Sequence, residues 1–318
     1  MGDGRRMKAV LPAAARAMLE PHLPQALDVA WFTGPTDAKA MIADADIAWV
    51  DMQPTRLVAE TIEAAGPRLK WVSTIYAGLD AFPLDILAAR DVTLTNGAGI
   101  NAVTVAEYAV MGVLVAAKRF DTVLRAQDRH DWLKDAPGKI ELAGTRALVI
   151  GYGTIGRLIG DRLAAFGVTV TGVTRSGRDG TITPDAWRDR LGEVDWVILA
   201  APSTGTTHAI IDADALARMK PSAWLINIAR GDMIDEAALM TALENGAIGG
   251  AFLDPTNPEP LPTDHRLWSA PNTIVTMHLS GRSQTTMFAR GAALFLENLD
   301  AFLAGKPMKN VADLAAGY

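Results

Sequence analysis

With 318 residues, 49% of them hydrophobic and 21% charged, the chain has enough apolar material for two domain cores. Its net charge of −6 excludes nucleic acid as the main partner, because phosphate binding needs a basic face. It contains no cysteine, which excludes disulfides, thiolate metal sites and a cysteine nucleophile and fits a reducing cytoplasm.

At the N-terminus Arg5 and Arg6 precede an apolar run. Arg16 and Glu20 interrupt that run, leaving it too short for an export signal. No stretch reaches the ~20 uninterrupted apolar residues that span a bilayer, so no membrane partner is expected. Short apolar runs then alternate with helical patterns, the rhythm of a parallel sheet. Strands are predicted over residues 8–11, 28–32, 47–50, 70–74 and 92–95, with a helix over 54–65 started by Pro54 and Thr55. A long helical pattern follows over 102–118; it is rich in Ala and Val and poor in charge, as a helix buried on most sides would be.

A second series has predicted strands over 146–150, 169–173, 196–200, 224–228, 250–253 and 273–277. The last long helix is predicted over 284–303, stopped by Gly305 and Pro307. The fold class is therefore α/β, with two doubly wound parallel-sheet domains.

The string RALVIGYGTIG, residues 146–156, places a strand directly before a G-x-G-x-x-G turn, and an amphipathic helix is predicted over 157–166. Gly151 permits the tight turn, Gly153 lets the backbone approach a pyrophosphate, and Gly156 lets helix and strand pack. Tyr152, Thr154 and Ile155 complete the turn, and the helix start offers free N–H groups to phosphate. This context points to a nicotinamide dinucleotide.

About 20 residues further on, an NAD domain carries an acidic residue for the adenosine ribose. Here the chain has Thr174, Arg175, Ser176, Gly177 and Arg178, with no carboxylate before Asp179. Two guanidinium groups and a serine suit a 2′-phosphate, so NADP is expected over NAD.

Three further segments end predicted strands, where open α/β sheets place their ligands. They carry Arg230 in NIARG, Glu259 in PEPLP and His278. Reducing a 2-keto acid needs a cation for the carboxylate and carbonyl, and an acid to protonate the new alkoxide. Arginine supplies the first through its bidentate fork. Histidine supplies the second, and a neighbouring carboxylate can orient it. His22, His130, His208 and His265 lie in contexts without partners and are given no role.

These strings resemble the D-isomer-specific 2-hydroxyacid dehydrogenases over nearly the whole chain. The resemblance is carried by NAVTVAEYAVMGVLVAAKR (101–119), VIGYGTIG, NIARG, PEPLP with the following HRLW, and the segment reaching His278. It implies that Arg230 binds and polarises the substrate, His278 is the acid/base and Glu259 pairs with it. It implies a split layout: a substrate domain from 1–101 and 283–318, and a Rossmann cofactor domain inserted at 102–282.

It further assigns the substrate carboxylate to backbone amides of Tyr76, Ala77, Gly78 and Leu79. Asp254 falls near the nicotinamide amide, and Pro202 and Thr207 on a loop lining the cofactor. Ile228 and Ala229 of NIARG are placed on the cofactor side. A cytoplasmic homodimer pairing through the cofactor domain is implied, with a small 2-keto acid such as glyoxylate or hydroxypyruvate as substrate and no metal. Tyr76 and Leu79 also offer apolar surface for a larger 2-keto acid.

Two departures stand out: Met277 takes the place of the family's usual proline before the histidine, and Pro255 follows Asp254. Two rival readings share the scaffold. One is a formate- or phosphite-type dehydrogenase, disfavoured because formate enzymes carry glutamine at the Glu259 position. The other is a non-catalytic NAD(H)-sensing, corepressor-like binding protein.

Overall fold

A computed structural model describes residues 6–315, so Arg5 of the N-terminal arginine pair lies outside the described residues. The chain forms two compact units, Met1–Asn101 with Gln284–Tyr318, and Ala102–Ser283.

The first unit is built on a five-stranded sheet in the order β2-β1-β3-β4-β5. Its strands are β1 (Met7–Pro12), β2 (Leu27–Phe32), β3 (Ile47–Trp49), β4 (Trp71–Ser73) and β5 (Thr93–Thr95), all parallel. Apolar side chains leave both faces of this sheet. On β3, Ile47 and Trp49 enter one core and Ala48 the other.

The helix Met287–Leu303 closes the first of these cores from the far end of the chain. Its Phe295 stacks on Trp71 with ring centroids 5.0 Å apart. Gly291 on the same helix sits so close to Ile75 that a Cβ there would lie 2.3 Å from a methyl group. Burial of these aromatic rings, rather than chain order, draws residues after 283 back to the N-terminal sheet.

The second unit has six parallel strands in the order β11-β10-β9-β8-β6-β7. They are β6 (Arg146–Ile150), β7 (Thr169–Val173), β8 (Trp196–Leu199), β9 (Trp224–Asn227), β10 (Gly250–Leu253) and β11 (Thr273–Val275). Period-2 alternation again sends Leu148 and Ile150 to one core and Ala147 and Val149 to the other, as a sheet covered on both faces requires. The helix Ala102–Lys118 lies against the second of these cores. Its Gly112 meets the Phe252 ring, where a Cβ would come within 2.8 Å.

Among the described residues no helix is long and apolar enough to cross a membrane.

Candidate active site and cofactor turn

The chain turns sharply out of β6. Gly151 has φ +96°, and a Cβ on it would lie 2.3 Å from the Ala201 nitrogen, so only glycine fits. Gly156 presses the following helix, Thr154–Ala165, onto the turn, with a Cβ position 2.3 Å from the Gly151 carbonyl oxygen. Gly153 is the opposite case: nothing lies within 4 Å of its Cβ position. The helix beginning there has no side-chain cap, so its first N–H groups remain for an anion. An open backbone face beside uncapped helix donors fits a dinucleotide pyrophosphate.

The side chain of Tyr152 does not share in this. Its ring fills the space over Gly160 and Gly172, where an added Cβ would approach ring or hydroxyl atoms at 2.2 and 2.3 Å. The Tyr152 N–H is spent on the Val173 carbonyl at 2.9 Å. Thr154 is exposed, Ile155 half-buried, and Ile228 and Ala229 are buried beyond β9.

Beyond β7 the Thr174 hydroxyl is spent on the loop itself, 2.7 Å from the Thr181 hydroxyl and accepting the Gly177 N–H at 3.1 Å. Arg175, Ser176 and Arg178 are exposed on this turn. The first carboxylate, Asp179, faces Arg157 at 3.4 Å, and that guanidinium lies 5.6 Å from the centre of the Tyr152 ring. Sequence reading gave Arg157 no role. On the next loop the Thr207 hydroxyl donates to the Pro202 carbonyl at 2.7 Å and accepts the Thr204 N–H at 2.8 Å, closing the loop on itself.

The segment reaching His278 departs from the expected strand. β11 stops at Val275, and Met277 and His278 both adopt left-handed φ, +56° and +54°. Two consecutive non-glycine residues in that region carry backbone strain, which persists only where surroundings hold it. Proline, locked near −65°, has no access to the Met277 conformation. The departure noted in the sequence is therefore a backbone requirement of this turn.

Asp254 does the holding. Its side chain is fully buried, and Oδ1 accepts from the Thr276 hydroxyl at 2.7 Å and the Leu279 N–H at 2.9 Å. The Ser280 N–H reaches Oδ2 at 3.2 Å, and the Asp254 carbonyl accepts from the His278 N–H at 2.7 Å. The Asp254 carboxylate thus holds the histidine turn in place. Tyr108 adds a hydrogen bond to Thr276; burial pushes its phenol above the usual range, with the Asp254 charge adding to that and the Thr276 bond opposing it.

His278 Nδ1 lies 2.9 Å from Glu259 Oε2, and Glu259 Oε1 accepts the Thr256 N–H at 3.1 Å. Side-chain exposures of 41% and 40% leave the pair accessible to a small molecule. Burial raises the Glu259 carboxyl. The His278 hydrogen bond and charge, the Thr256 N–H and the Arg230 charge outweigh it and hold the group below the usual carboxylate range. With Nδ1 turned to a carboxylate, Nε2 is the atom able to exchange a proton with a substrate.

Arg230 follows β9 and is positioned by Asn227, which is fully buried. The Asn227 side chain accepts the Ala229 N–H at 3.0 Å and donates to the Arg230 carbonyl at 2.8 Å. Gly231 then packs on Thr256, where a Cβ would lie 2.1 Å from the Thr256 carbonyl carbon. The arginine turn and the glutamate loop therefore abut. Sequence reading passed over Asn227, whose signal was a polar residue ending an apolar strand.

In the first unit, the loop at 76–79 starts with the Tyr76 N–H donating to the Thr74 hydroxyl at 3.0 Å and the Tyr76 carbonyl accepting from Gly97 at 2.8 Å. Ala77 is exposed and Gly78 half-buried, and their N–H groups meet no acceptor among the described residues. Leu79 is only 3% exposed and belongs to the core, so its side chain does not line a substrate pocket as expected; its backbone closes the loop by accepting from Phe82 at 2.9 Å. Among the described residues no group of three or more His, Cys, Asp or Glu is arranged to hold a metal.

Residues 110–280 match the family described as D-isomer specific 2-hydroxyacid dehydrogenase, NAD binding domain. The chain is 33% identical to a glycerate dehydrogenase of Methylorubrum extorquens over 311 residues, covering 95% of this chain and 96% of that protein. It is 30% identical to a D-3-phosphoglycerate dehydrogenase of Mycobacterium bovis, of which it spans 56%.

Among solved structures, a D-isomer specific 2-hydroxyacid dehydrogenase family protein from Aeromonas salmonicida superposes with a TM-score of 0.87 at 30% identity, covering 98% of this chain and 99% of that one. An NADPH-dependent glyoxylate/hydroxypyruvate reductase from Sinorhizobium meliloti, in complex with NADP and malonate, gives 0.80 at 26% identity over 98% of both chains. The chain belongs to the D-isomer specific 2-hydroxyacid dehydrogenase family. Its activity class is that of an NAD(P)-dependent 2-hydroxyacid dehydrogenase.

Proposed function

We propose that the protein reduces a small 2-keto acid to the D-2-hydroxy acid, with NADPH preferred to NADH and His278 as the acid. The observation that carries this reading is the accessible His278–Glu259 pair at 2.9 Å, with the Arg230 charge acting on the same glutamate. A nicotinamide bound at the glycine turn supplies the hydride.

Arg230 binds the substrate carboxylate and draws electron density onto the keto oxygen as hydride reaches the carbon. His278 then delivers its Nε2 proton to that oxygen. Glu259, ionised and accepting from Nδ1, stabilises the imidazolium until the proton leaves. In the first unit, the N–H groups of Ala77 and Gly78 are assigned to the substrate carboxylate.

Preference for NADPH is supported by exposed Arg175, Ser176 and Arg178 and by the pairing of Asp179 with Arg157. A homodimer formed through the cofactor unit belongs to the same reading. It is supported by exposed apolar side chains at Met111, Phe120, Leu124, Trp132 and Leu133 of that unit.

The test is a panel of glyoxylate, hydroxypyruvate, pyruvate and phenylpyruvate assayed with each cofactor. Oxidation of NADPH by at least one 2-keto acid is expected. Tight cofactor binding with no turnover on any of them would favour the sensing protein. Activity confined to formate or phosphite would favour the other rival.

A further inference from the structure

One buried carboxylate lies outside the machinery described so far. Asp51 follows β3 by two residues; the residue as a whole is half-buried, but its carboxyl group lies deep among protein atoms. Every donor it meets belongs to one corner of the first unit. Oδ1 accepts from the Thr74 hydroxyl at 2.6 Å, and Oδ2 accepts from the Ile75 N–H at 2.8 Å and the Trp49 indole N–H at 2.8 Å. The Thr74 oxygen, with its proton directed to Asp51, in turn accepts the Tyr76 N–H at 3.0 Å.

A relay therefore runs from Asp51 through Thr74 to the first amide of the loop at 76–79. It uses up the N–H groups of Ile75 and Tyr76 and leaves those of Ala77 and Gly78 unspent. The other end is anchored by Leu79 in the core. Gly97 locks the corner from behind, since a Cβ there would lie 2.0 Å from the Ile75 carbonyl oxygen.

Burying a carboxylate is costly, and a neutral side chain of similar size would fill the space without that cost. Burial here pushes the Asp51 carboxyl up to about 6, against hydrogen bonds from Thr74, Ile75 and Trp49 that favour the ionised form. What the carboxylate provides in return is a fixed direction for the next two amides.

We infer that Asp51, acting through Thr74, is a positioning residue for substrate: it sets the amides of Ala77 and Gly78 to receive the substrate carboxylate. This rests on the reading of the loop at 76–79 as the carboxylate holder. Asp51 itself touches no substrate. Its loss acts on substrate affinity rather than on hydride or proton transfer, and leaves the cofactor unit alone.

The experiment uses the full-length protein with Asp51→Ala, Thr74→Val and Thr74→Ser. The readouts are KM and kcat for the best 2-keto acid of the panel, NADPH affinity by fluorescence, and amide exchange at Ile75 and Tyr76. Asp51→Ala and Thr74→Val are expected to raise KM roughly tenfold or more, as loss of a charge-assisted network does. They should speed amide exchange while leaving kcat and NADPH affinity near those of the native chain. Thr74→Ser, which keeps the hydroxyl, is expected to restore KM.

An unchanged KM, or a raised KM accompanied by a fall in kcat and in NADPH affinity, would overturn the inference. If Asp51→Ala does not fold, Thr74→Val, which removes a single hydroxyl, decides alone. Acetaldehyde separates this inference from the reading beneath it. If the native chain turns over acetaldehyde and pyruvate with equal KM, the loop holds no carboxylate and both statements fall. If it discriminates, and the variants keep the native KM for pyruvate, the role of Asp51 falls while carboxylate recognition, by the loop or by Arg230, stands.

Discussion

The two sheets of this protein are wound alike, yet they end their first strands differently. In both, the first strand lies between the second and third, which opens a crevice at the carboxyl ends of the strands. After β6 comes a glycine turn with an open face over Gly153 and an uncapped helix. After β1, Pro12 leads directly into a short 3₁₀ turn, Ala13–Ala15, with a methyl group on every residue. Pro12 also has no N–H to offer. Winding alone thus makes a crevice, and backbone access at the first turn decides whether phosphate can use it.

That contrast favours the second unit for the cofactor, and the largest effect should come from breaking the proton transfer proposed there. His278→Ala is expected to lower kcat by about 10²–10⁴. NADPH affinity should hold, because the glycine turn is untouched. Stopped-flow turnover beside a fluorescence titration checks both; near-native turnover would remove the acid/base role from His278.

The turn itself offers the direct comparison. Gly153 has a φ of −83° and open space at its Cβ position, so Gly153→Val leaves the fold intact while occupying the phosphate approach. NADPH affinity is expected to fall by roughly a hundredfold, the order of two lost charge-assisted hydrogen bonds. Ala14→Val, in the corresponding turn of the other sheet at an exposed position, is expected to leave it unchanged. Equal effects of the two substitutions on NADPH affinity would end the distinction between the turns.

A smaller effect sharpens which dinucleotide the second sheet takes. Arg175→Ala is expected to weaken NADPH about tenfold more than NADH, since a guanidinium on a 2′-phosphate contributes only to the former. Equal weakening in paired titrations would show that the arginine meets no 2′-phosphate.

Much of this architecture is legible in the residues because parallel strands buried on both faces read as plain apolar runs. The predicted bounds of β6, β7 and β10 and of the helix Ala102–Lys118 coincide with those observed. Shorter helices such as Ala213–Arg218 and Glu236–Glu244 went unread, although Asp212 and Asp235 cap them through the N–H groups of Ala215 and Ala238. One or two turns show too little periodicity to compete with the strands around them.

The site divides in the same way. His278 and Glu259 stand out by residue type in segments that follow predicted strands, and the fold brings them within 2.9 Å. The carboxylates that hold the loops do not stand out, because their meaning lies in donors far along the chain. Asp254 grips residues 22 to 26 positions away, and Asp51 reaches Thr74 and Ile75 at 23 and 24. Only strand order brings such partners together. An aspartate ending an apolar run looks like the start of a surface loop until the fold closes over it.

Asp51 gives the smallest and most specific expectation, read as stability rather than rate. Burial raises its carboxyl from 3.8 in the unfolded reference to about 6 in the folded chain. Between those values the folded state holds a proton that the unfolded state has released. The contribution of this group to stability is therefore full below the unfolded value and is lost as pH rises through about 6. Each pH unit of the raise is worth about 1.4 kcal/mol, so the whole loss is at most about 3 kcal/mol.

Asp51→Asn keeps an acceptor and does not titrate. Urea unfolding followed by the fluorescence of Trp49 and Trp71, both buried in the first unit, is expected to favour the variant increasingly as pH rises from 4.5 to 7. Other titrating groups cancel in the difference between the two proteins. A difference that stays flat across that range would mean the buried carboxylate costs the fold nothing, and would remove the energetic reason for regarding its position beside the loop as functional.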